Sequence, residues 1–544
     1  MITGSLPDLD DVGAWFWKGG ERGELRIGWC VSCACHVHPS LAVCPDCQNA
    51  EMDHVAVSGR AIAIAITENH QRWLPGHEPP YVIAYVALAD APHIRLTTNI
   101  VDCEGTQLYE GMELEVRFAQ RDDVWIPQFA PSNTPTTHDL AALVPLPDTS
   151  AVRRGAAITP KFEDKAAFTG IGMSRIGRRM GIPSLVLTVE ACKAAIEDAG
   201  LRASDIDGLC AYPGSTGIPG ISTGGVRALE QAMQLHPVWH IGANEAPGQA
   251  GAVITAMMAV ASGTCRHVLC CTNFSESVRP AVSGSQLNDR VRGELAWQLP
   301  FGAASPANWI ALYAAHYLAR FGASREMLGQ IALTARHNAA DNPAAIYTSP
   351  LTMDDYLAAR PICTPFGLYD CDVPCDGAIA CIVSAADCAG DTRQRPVWVE
   401  AVGQQITERQ FWDQGTISHQ PNLFGPAAHM WSRTDLKPAD VDVALLYDGF
   451  TFNVVSWLEA LGFCGIGEAA SFLEGGHRIS RNGDLPLNPH GGHLSAGRTN
   501  GYGNIHEAVL QLRGSAGARQ ITGANTAVVS AGGGIPAGCM LLRS

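Results

Sequence analysis

Residues 30–47 read CVSCACHVHPSLAVCPDC, two C-x-x-C pairs separated by ten residues. Cys30 with Cys33, and Cys44 with Cys47, can each wrap a tight turn around one metal ion. Four thiolates make the closed tetrahedral shell of a structural Zn²⁺ site and leave no open position for a substrate. Cys35, His36 and His38 lie inside the loop between the pairs and are read as bystanders. Three other stretches carry groups that could meet a ligand. SAGGGIPAG (530–538) places Gly532, Gly533 and Gly534 in a row, where backbone can approach a ligand closely and point N–H groups at a carbonyl oxygen, or simply turn. SRIGRRMG (174–181) contains Arg178 and Arg179, which serve either as phosphate contacts or as an ordinary solvated face. NPHGGH (488–493) holds His490 and His493, the side-chain type best suited to proton transfer near neutral pH.

Composition limits what these groups can serve. The chain has 544 residues, 47% hydrophobic and 17% charged, which is globular and core-rich, with room for about two to four domains. A net charge of −16 argues against nucleic acid as a partner, because phosphate binding needs clustered Lys and Arg. The opening MITGSLPDLDDVG has neither a basic n-region nor an apolar core, so no signal peptide is expected. Without an export signal, 18 cysteines point to reduced thiols and a metal, hence a cytoplasmic protein. The long uncharged stretch at 246–265 is rich in Gly, Ala, Ser and Thr and is read as a buried helix, with no membrane span.

These groups need elements to hold them. Residues 1–50 are expected to form an N-terminal helix and zinc ribbon. Over 51–132, short runs such as PPYVIAYVALAD alternate apolar and polar residues between Gly, Pro and Asp turns, the pattern of a small β-barrel. Residues 133–162, rich in Pro, Thr and Ser, read as a linker. From 163 to 544 the pattern is one of βα units, and it repeats. LRASDIDGLCAY (201–212) and LKPADVDVALLY (436–447) share L-[RK]-x-[SA]-D-[IV]-D and a strand-like run ending in Tyr. That is the mark of a duplicated βα fold.

The N-terminal order of helix, double C-x-x-C and barrel strands resembles the rubredoxin-like zinc-ribbon plus OB-fold proteins that accompany thiolase-like and hydratase enzymes of acyl-CoA metabolism. The duplicated halves, the small-residue helix after GANEAPG, the YDGF turn, NPHGGHLSAGRTNG and SAGGG together resemble the thiolase superfamily. The nearest likeness is to sterol-carrier-protein-type thiolases and lipid-transfer-protein-type steroid side-chain aldolases. The resemblance implies a duplicated α/β thiolase fold of five layers (α-β-α-β-α) over 163–544, acyl-CoA as substrate and a homodimer.

It also exposes losses. A Claisen thiolase needs a cysteine nucleophile at a helix N-terminus, a histidine beside it and a second acid/base cysteine. No cysteine lies between Cys210 and Cys265, the Gly-His-Pro motif is matched by Gly497, Arg498 and Thr499, and the second cysteine by Ser530. Covalent acyl transfer through a thiol is therefore not expected. A retro-aldol cleavage of a β-hydroxyacyl-CoA needs no acyl-enzyme, only a base, a hold on the enolate oxygen and a proton donor. The resemblance places a catalytic role on Tyr447 and sets His490 and His493 in an active-site loop; Asp448 is read as orienting a neighbour or capping the following helix, and Arg498 as a candidate hold on an enolate oxygen or a substrate carboxylate. An unperturbed tyrosine titrates near pH 10, so Tyr447 acting as a base would need a cation, and Arg498 is the candidate. These aldolases carry a second tyrosine where Arg498 stands. Tyr502, four residues on, would take that role if the stretch is helical. Two other readings stand beside the lyase: a β-ketoacyl-CoA thiolase with a relocated nucleophile, and an acyl-CoA or lipid carrier without catalysis.

Overall fold

The computed structural model describes residues 6–10, 12–105, 107–132, 140–149, 161–214, 225–243, 248–275, 290–409, 411–532 and 537–544. At the N-terminus the short helix Ala14–Lys18 buries Phe16 and Trp17. Strand Leu25–Cys30 pairs antiparallel with Cys35–Val37 on one side and Met52–Val57 on the other, so the ribbon sheet takes its third strand from beyond residue 50.

Five strands then close a barrel in the order Arg60–Asn69, Tyr81–Leu88, Arg95–Ile100, Val124–Pro131 and Glu113–Arg121. The last strand returns to pair with the first, which removes both open edges. The barrel is seated on the rest of the chain. Strand Arg60–Asn69 also pairs with Pro361–Cys363, and helix Pro306–Phe321 packs against its outer face. Side-chain bonds cross the seam: Thr67 Oγ1 donates to the Thr364 carbonyl (2.6 Å), Thr97 Oγ1 to Asp413 Oδ2 (2.9 Å) and Asn308 Nδ2 to Asn69 Oδ1 (2.9 Å). Of the expected linker, Leu140–Leu143 forms a short helix, and Leu143 and Val144 are buried in the large core.

The remainder is built on a nine-stranded sheet: two equivalent units of four strands, and an edge strand, Trp239–Gly242, that pairs parallel with Gly208–Tyr212. In the first, strands Gly208–Tyr212, His267–Ser275, Asp376–Ala385 and Ala166–Met173 lie in that order, parallel then antiparallel then antiparallel. In the second, Val443–Leu445, Thr526–Ala531, Gly538–Arg543 and Val397–Gly403 repeat the order and the pairing senses. The units meet where 397–403 pairs with 166–173.

The sequence repeat explains why the two units fold alike. Its first aspartate caps a turn: Asp205 Oδ2 accepts the Arg202 amide and Asp440 Oδ2 the Lys437 amide, both at 2.8 Å. Its second aspartate staples the next parallel strand. Asp207 accepts the amides of Arg266 and His267, and Asp442 those of Asn525 and Thr526. The amides that open these strands need acceptors, and each aspartate accepts two of them.

Helices Gly248–Ala261 and Tyr502–Arg513 pack on strands of both units and form the middle layer. The former is the apolar stretch read as a buried helix, and its small residues let the two units approach. Ser184–Ala199 covers the outer face of the first unit, and Phe424–Trp431 and Thr451–Ala460 that of the second. Among the described residues no helix is long and apolar enough to cross a membrane.

Candidate active site

The 443–445 strand ends in the turn that carries Tyr447 and Asp448. The histidine loop is laced to that strand by Asn488, whose amide donates to the Ala444 carbonyl (2.9 Å) and whose Nδ2 donates to the Leu446 carbonyl (2.8 Å). Past it, Gly491 and Gly492 take φ of 100° and 59°, and a Cβ on Gly492 would lie 1.9 Å from Asp448 Oδ2. Only glycine permits that approach. The chain then makes a π-helical turn, Gly492–Ala496, whose amides face Asp448: His493 N–H donates to Oδ1 at 2.8 Å.

His493 is fully buried and held at both ring nitrogens. Its Nδ1 is 2.6 Å from Asp448 Oδ1, and its Nε2 accepts the Gly501 amide at 3.0 Å. An amide can only donate, so the ring proton sits on Nδ1 and is given to Asp448. The imidazole packs against the Tyr447 ring, with centroids 4.8 Å apart. Ser530 is also fully buried, and its Oγ accepts the Tyr447 amide at 2.9 Å. The residue that replaces a thiol therefore helps hold the tyrosine.

Arg498 and Asp372 form an ion pair, Nε to Oδ2 at 3.5 Å. Arg498 does favour the Tyr447 phenolate, as expected, but it does not win. Burial, followed by Asp372, pushes the Tyr447 phenol well above its ordinary value, so it stays protonated at neutral pH. That corrects the expectation of a cation-assisted tyrosinate. His490 is buried with Nδ1 unbonded, and burial pulls it down to about 3, so it too is neutral. Its titratable neighbours are Asp448, His493, Arg519 and His506, rather than Arg498 or Asp372.

Tyr502 is not brought to this group. Residues 498–501 are not helical: Asn500 and Gly501 have φ of 52° and 75°, and the helix starts only at Tyr502. The four-residue spacing from Arg498 therefore has no meaning, and the Tyr502 hydroxyl is buried without a partner near the thiols of Cys210, Cys270, Cys271 and Cys381. Arg178 is on the surface, and its Nη1 donates to the Tyr347 hydroxyl at 2.7 Å; the Tyr347 amide in turn bonds the Ser495 carbonyl of the histidine loop. Arg179 is exposed, with φ 52°. The Gly532 carbonyl accepts the Trp457 indole N–H at 3.3 Å, while Gly533 and Gly534 lie outside the described residues.

Two residues were not found by reading the sequence. Asp372 stands in an unremarkable DVPC run, and only the fold sets it against Arg498. Tyr212 ends the first copy of the repeat as Tyr447 ends the second, and its phenol feels the Arg498 charge while Tyr447 feels Tyr212. The repeat was the signal: equivalent strands of the two units deliver their terminal tyrosines to one place.

In the ribbon, Cys30, Cys33, Cys44 and Cys47 converge, all four sulfurs within 4.8 Å of one another. Cys30 and Cys47 Sγ are 3.5 Å apart, and Cys33 and Cys44 Sγ 3.6 Å. Metal–sulfur bonds of about 2.3 Å in a tetrahedron give sulfur–sulfur edges of about 3.8 Å, so the set fits one such ion. His38 is buried nearby and is not part of the group.

Two equivalent βα units closed over shared helices are the thiolase fold. The Thiolase C-terminal domain-like family model matches residues 413–540, and a ChsH2, C-terminal OB-fold domain model matches 54–119. A "steroid side-chain-cleaving aldolase" of Thermomonospora curvata is 33% identical over 397 residues, 69% of this chain and 97% of that protein. A "17-hydroxy-3-oxo-4-pregnene-20-carboxyl-CoA lyase" of Mycobacterium tuberculosis is 33% identical over 393 residues, 70% of this chain and 99% of the relative. Among solved structures, an Ltp2-ChsH2(DUF35) aldolase superposes with a TM-score of 0.64 at 32% identity, over 70% of this chain and 98% of that one. Human mitochondrial 3-ketoacyl-CoA thiolase, 15% identical with a TM-score of 0.51, shares the fold. The chain belongs to the steroid side-chain-cleaving aldolases of the thiolase superfamily, carbon–carbon lyases, and carries an OB-fold module of the ChsH2 kind on the same polypeptide.

Proposed function

We propose that the chain cleaves a bulky β-hydroxyacyl-CoA, of the kind met in steroid or aromatic side-chain breakdown, by a retro-aldol step. The β-hydroxyl gives up its proton, the Cα–Cβ bond breaks to leave a ketone or aldehyde, and the thioester enolate takes a proton at Cα. The observation that carries this reading is the Tyr447 phenol, held protonated by burial and Asp372 in a turn braced by Asp448, His493 and Ser530. A neutral, fixed phenol beside an Arg–Asp pair suits proton delivery and enolate binding, not acyl transfer.

In this assignment Tyr447 donates the proton, Arg498 holds the developing enolate oxygen and Asp372 accepts the β-hydroxyl proton. His493 and Asp448 fix the tyrosine, and Tyr212 adds a second hydroxyl from the other unit. His490 stays neutral behind Asp448. The same reading takes Zn²⁺ as the ribbon ion, Arg178 and Arg179 as contacts for CoA phosphates, the glycine run Gly532, Gly533 and Gly534 as backbone near the thioester, and a homodimer formed through the thiolase-like part.

The test is mass spectrometry of purified protein with a panel of β-hydroxyacyl- and β-ketoacyl-CoA esters, products and intact chain together. A carbonyl product plus a shorter acyl-CoA from β-hydroxy esters, with no protein adduct, supports the lyase. An acyl adduct with turnover of β-keto esters alone overturns it. The thiol to watch is Cys375, fully buried, whose Sγ lies 3.6 Å from the Arg498 carbonyl. Cys375→Ala should keep turnover in a lyase and lose it in a thiol enzyme.

A further inference from the structure

The zinc ribbon contains a fifth thiol that the four-sulfur set does not use. Ala34, with φ 53°, turns the chain between Cys33 and Cys35. The strand opening at Cys35 then sets that residue in register with Cys30. The Cys35 Sγ comes within 3.1 Å of Cys33 Sγ and 3.9 Å of Cys44 Sγ, yet it stands outside the four-sulfur group. Its third neighbour is an oxygen, Asp46 Oδ2, at 3.6 Å. Cys35 Sγ, Cys44 Sγ and the Asp46 carboxylate all lie within 4.8 Å of one another.

These separations have the size of coordination edges. For metal–sulfur bonds of about 2.3 Å and metal–oxygen bonds of about 2.0–2.2 Å, a tetrahedral S–S edge is about 3.8 Å and an S–O edge about 3.6 Å. The charge also favours a second ion. Four thiolates around one dication leave a net charge of about −2 by simple count, and Asp46 and Cys35 add to it. Cys35 is half-buried and Asp46 exposed, so a second ion would reach solvent on its open side.

We propose that Cys35, Cys44 and Asp46 form a second site for a thiophilic divalent cation, with the Cys44 sulfur bridging it to the structural ion and water completing its shell. The site is weaker than the four-sulfur one, having three protein ligands, one of them shared. It equips the ribbon to take up Zn²⁺ or Cd²⁺ beyond its structural ion.

The experiment titrates the full-length, reduced protein with cadmium, counts metal per chain after desalting, and records ¹¹³Cd NMR spectra. The wild type should show one resonance in the all-sulfur range and a second displaced toward mixed sulfur and oxygen ligation, with coupling between the two metals through the shared sulfur. Cys35→Ser and Asp46→Asn should each lose the second resonance and keep the first, which also reports that the ribbon is folded. A single ribbon resonance in the wild type overturns the site and leaves Cys35 as a thiol hydrogen-bonded to its neighbours. A second resonance that survives both substitutions places that cadmium on other thiols and overturns it equally.

Discussion

At the scale of single residues, chemistry at the Tyr447 turn depends on which groups are charged. Removing the phenolic hydroxyl in Tyr447→Phe deletes the proposed donor while leaving its packing on His493. We expect kcat to fall by about 10²–10⁴-fold, the usual worth of positioned proton transfer, with KM little changed. Steady-state kinetics on a cleaved β-hydroxyacyl-CoA measures this. Asp448→Asn should cost both activity and stability, because the carboxylate accepts the His493 amide and the Nδ1 proton in a site closed to water. Losing hydrogen bonds to a buried charged acceptor of this kind costs about 1.5–3 kcal/mol, read from urea unfolding.

Two further histidines set an acid limit. Burial pulls His490 down to about 3 and His506 to about 4 from an ordinary 6.5. As pH falls below 6.5 the unfolded chain binds protons that the native state refuses, so stability is full above that value and is lost progressively towards pH 4. Urea midpoints at pH 7 and pH 5 should differ in that direction, and His490→Gln should flatten the dependence.

At the scale of elements, the tight glycine turn at 491–492 does what no side chain can do. It brings a π-helical run of amides onto Asp448 and so sets the height of His493 under Tyr447. Gly492→Ala adds a methyl 1.9 Å from the Asp448 oxygen at a left-handed φ of 59°. Overpacking with such strain costs about 1–3 kcal/mol. The expected result is a lower thermal midpoint together with a loss of turnover larger than any loss of substrate affinity, measured by calorimetry and kinetics on one preparation. The repeat works at the same scale. Asp207 and Asp442 each satisfy two strand-opening amides, and the same bond pattern recurs in both units despite their different sequences.

At the scale of the whole molecule, the barrel is a docked part of the lyase. Its strand 60–69 pairs with 361–363, and the chain runs on from there through Asp370 to Asp372. Asp370 is fully buried and accepts the hydroxyls of Tyr356 (2.6 Å) and Thr451 (2.7 Å), the second at the start of the helix that follows the Tyr447 turn. In the cysteine ribbon, Cys30, Val37 and Cys44 form a small core of their own, while Leu25 and Ile27 of the same sheet pack into the barrel core. On the proposed reading of a metal-bound ribbon, a strong chelator should open the ribbon sheet alone. Limited proteolysis should then cut within 25–57 while the thiolase-like part resists.

Several features of this protein follow from its amino-acid sequence by itself, because they are written in spacings along the chain. The double C-x-x-C, the barrel alternation, the repeated L-[RK]-x-[SA]-D-[IV]-D and the absent thiols each concern residues close together or residue types alone. They are enough for the ribbon, the OB-type barrel, the duplicated fold and a chemistry without an acyl-enzyme. What only the tertiary structure decided is which side chains share an environment. The Tyr447 phenol was expected to be pulled down by Arg498; it is pushed up, because burial and the Asp372 charge depend on packing that no local pattern encodes. Tyr502 would share a face with Arg498 only on a continuous helix, and otherwise reads as a plain surface tyrosine; two left-handed residues before it break that register, and its hydroxyl is buried in the core. Tyr212 and Asp372 lie far from Tyr447 in sequence, 235 and 75 residues by their numbers, and reach it through sheet order and loop closure. Charge and proton location are set by desolvation and by distance in space, and both exist only once the chain has folded.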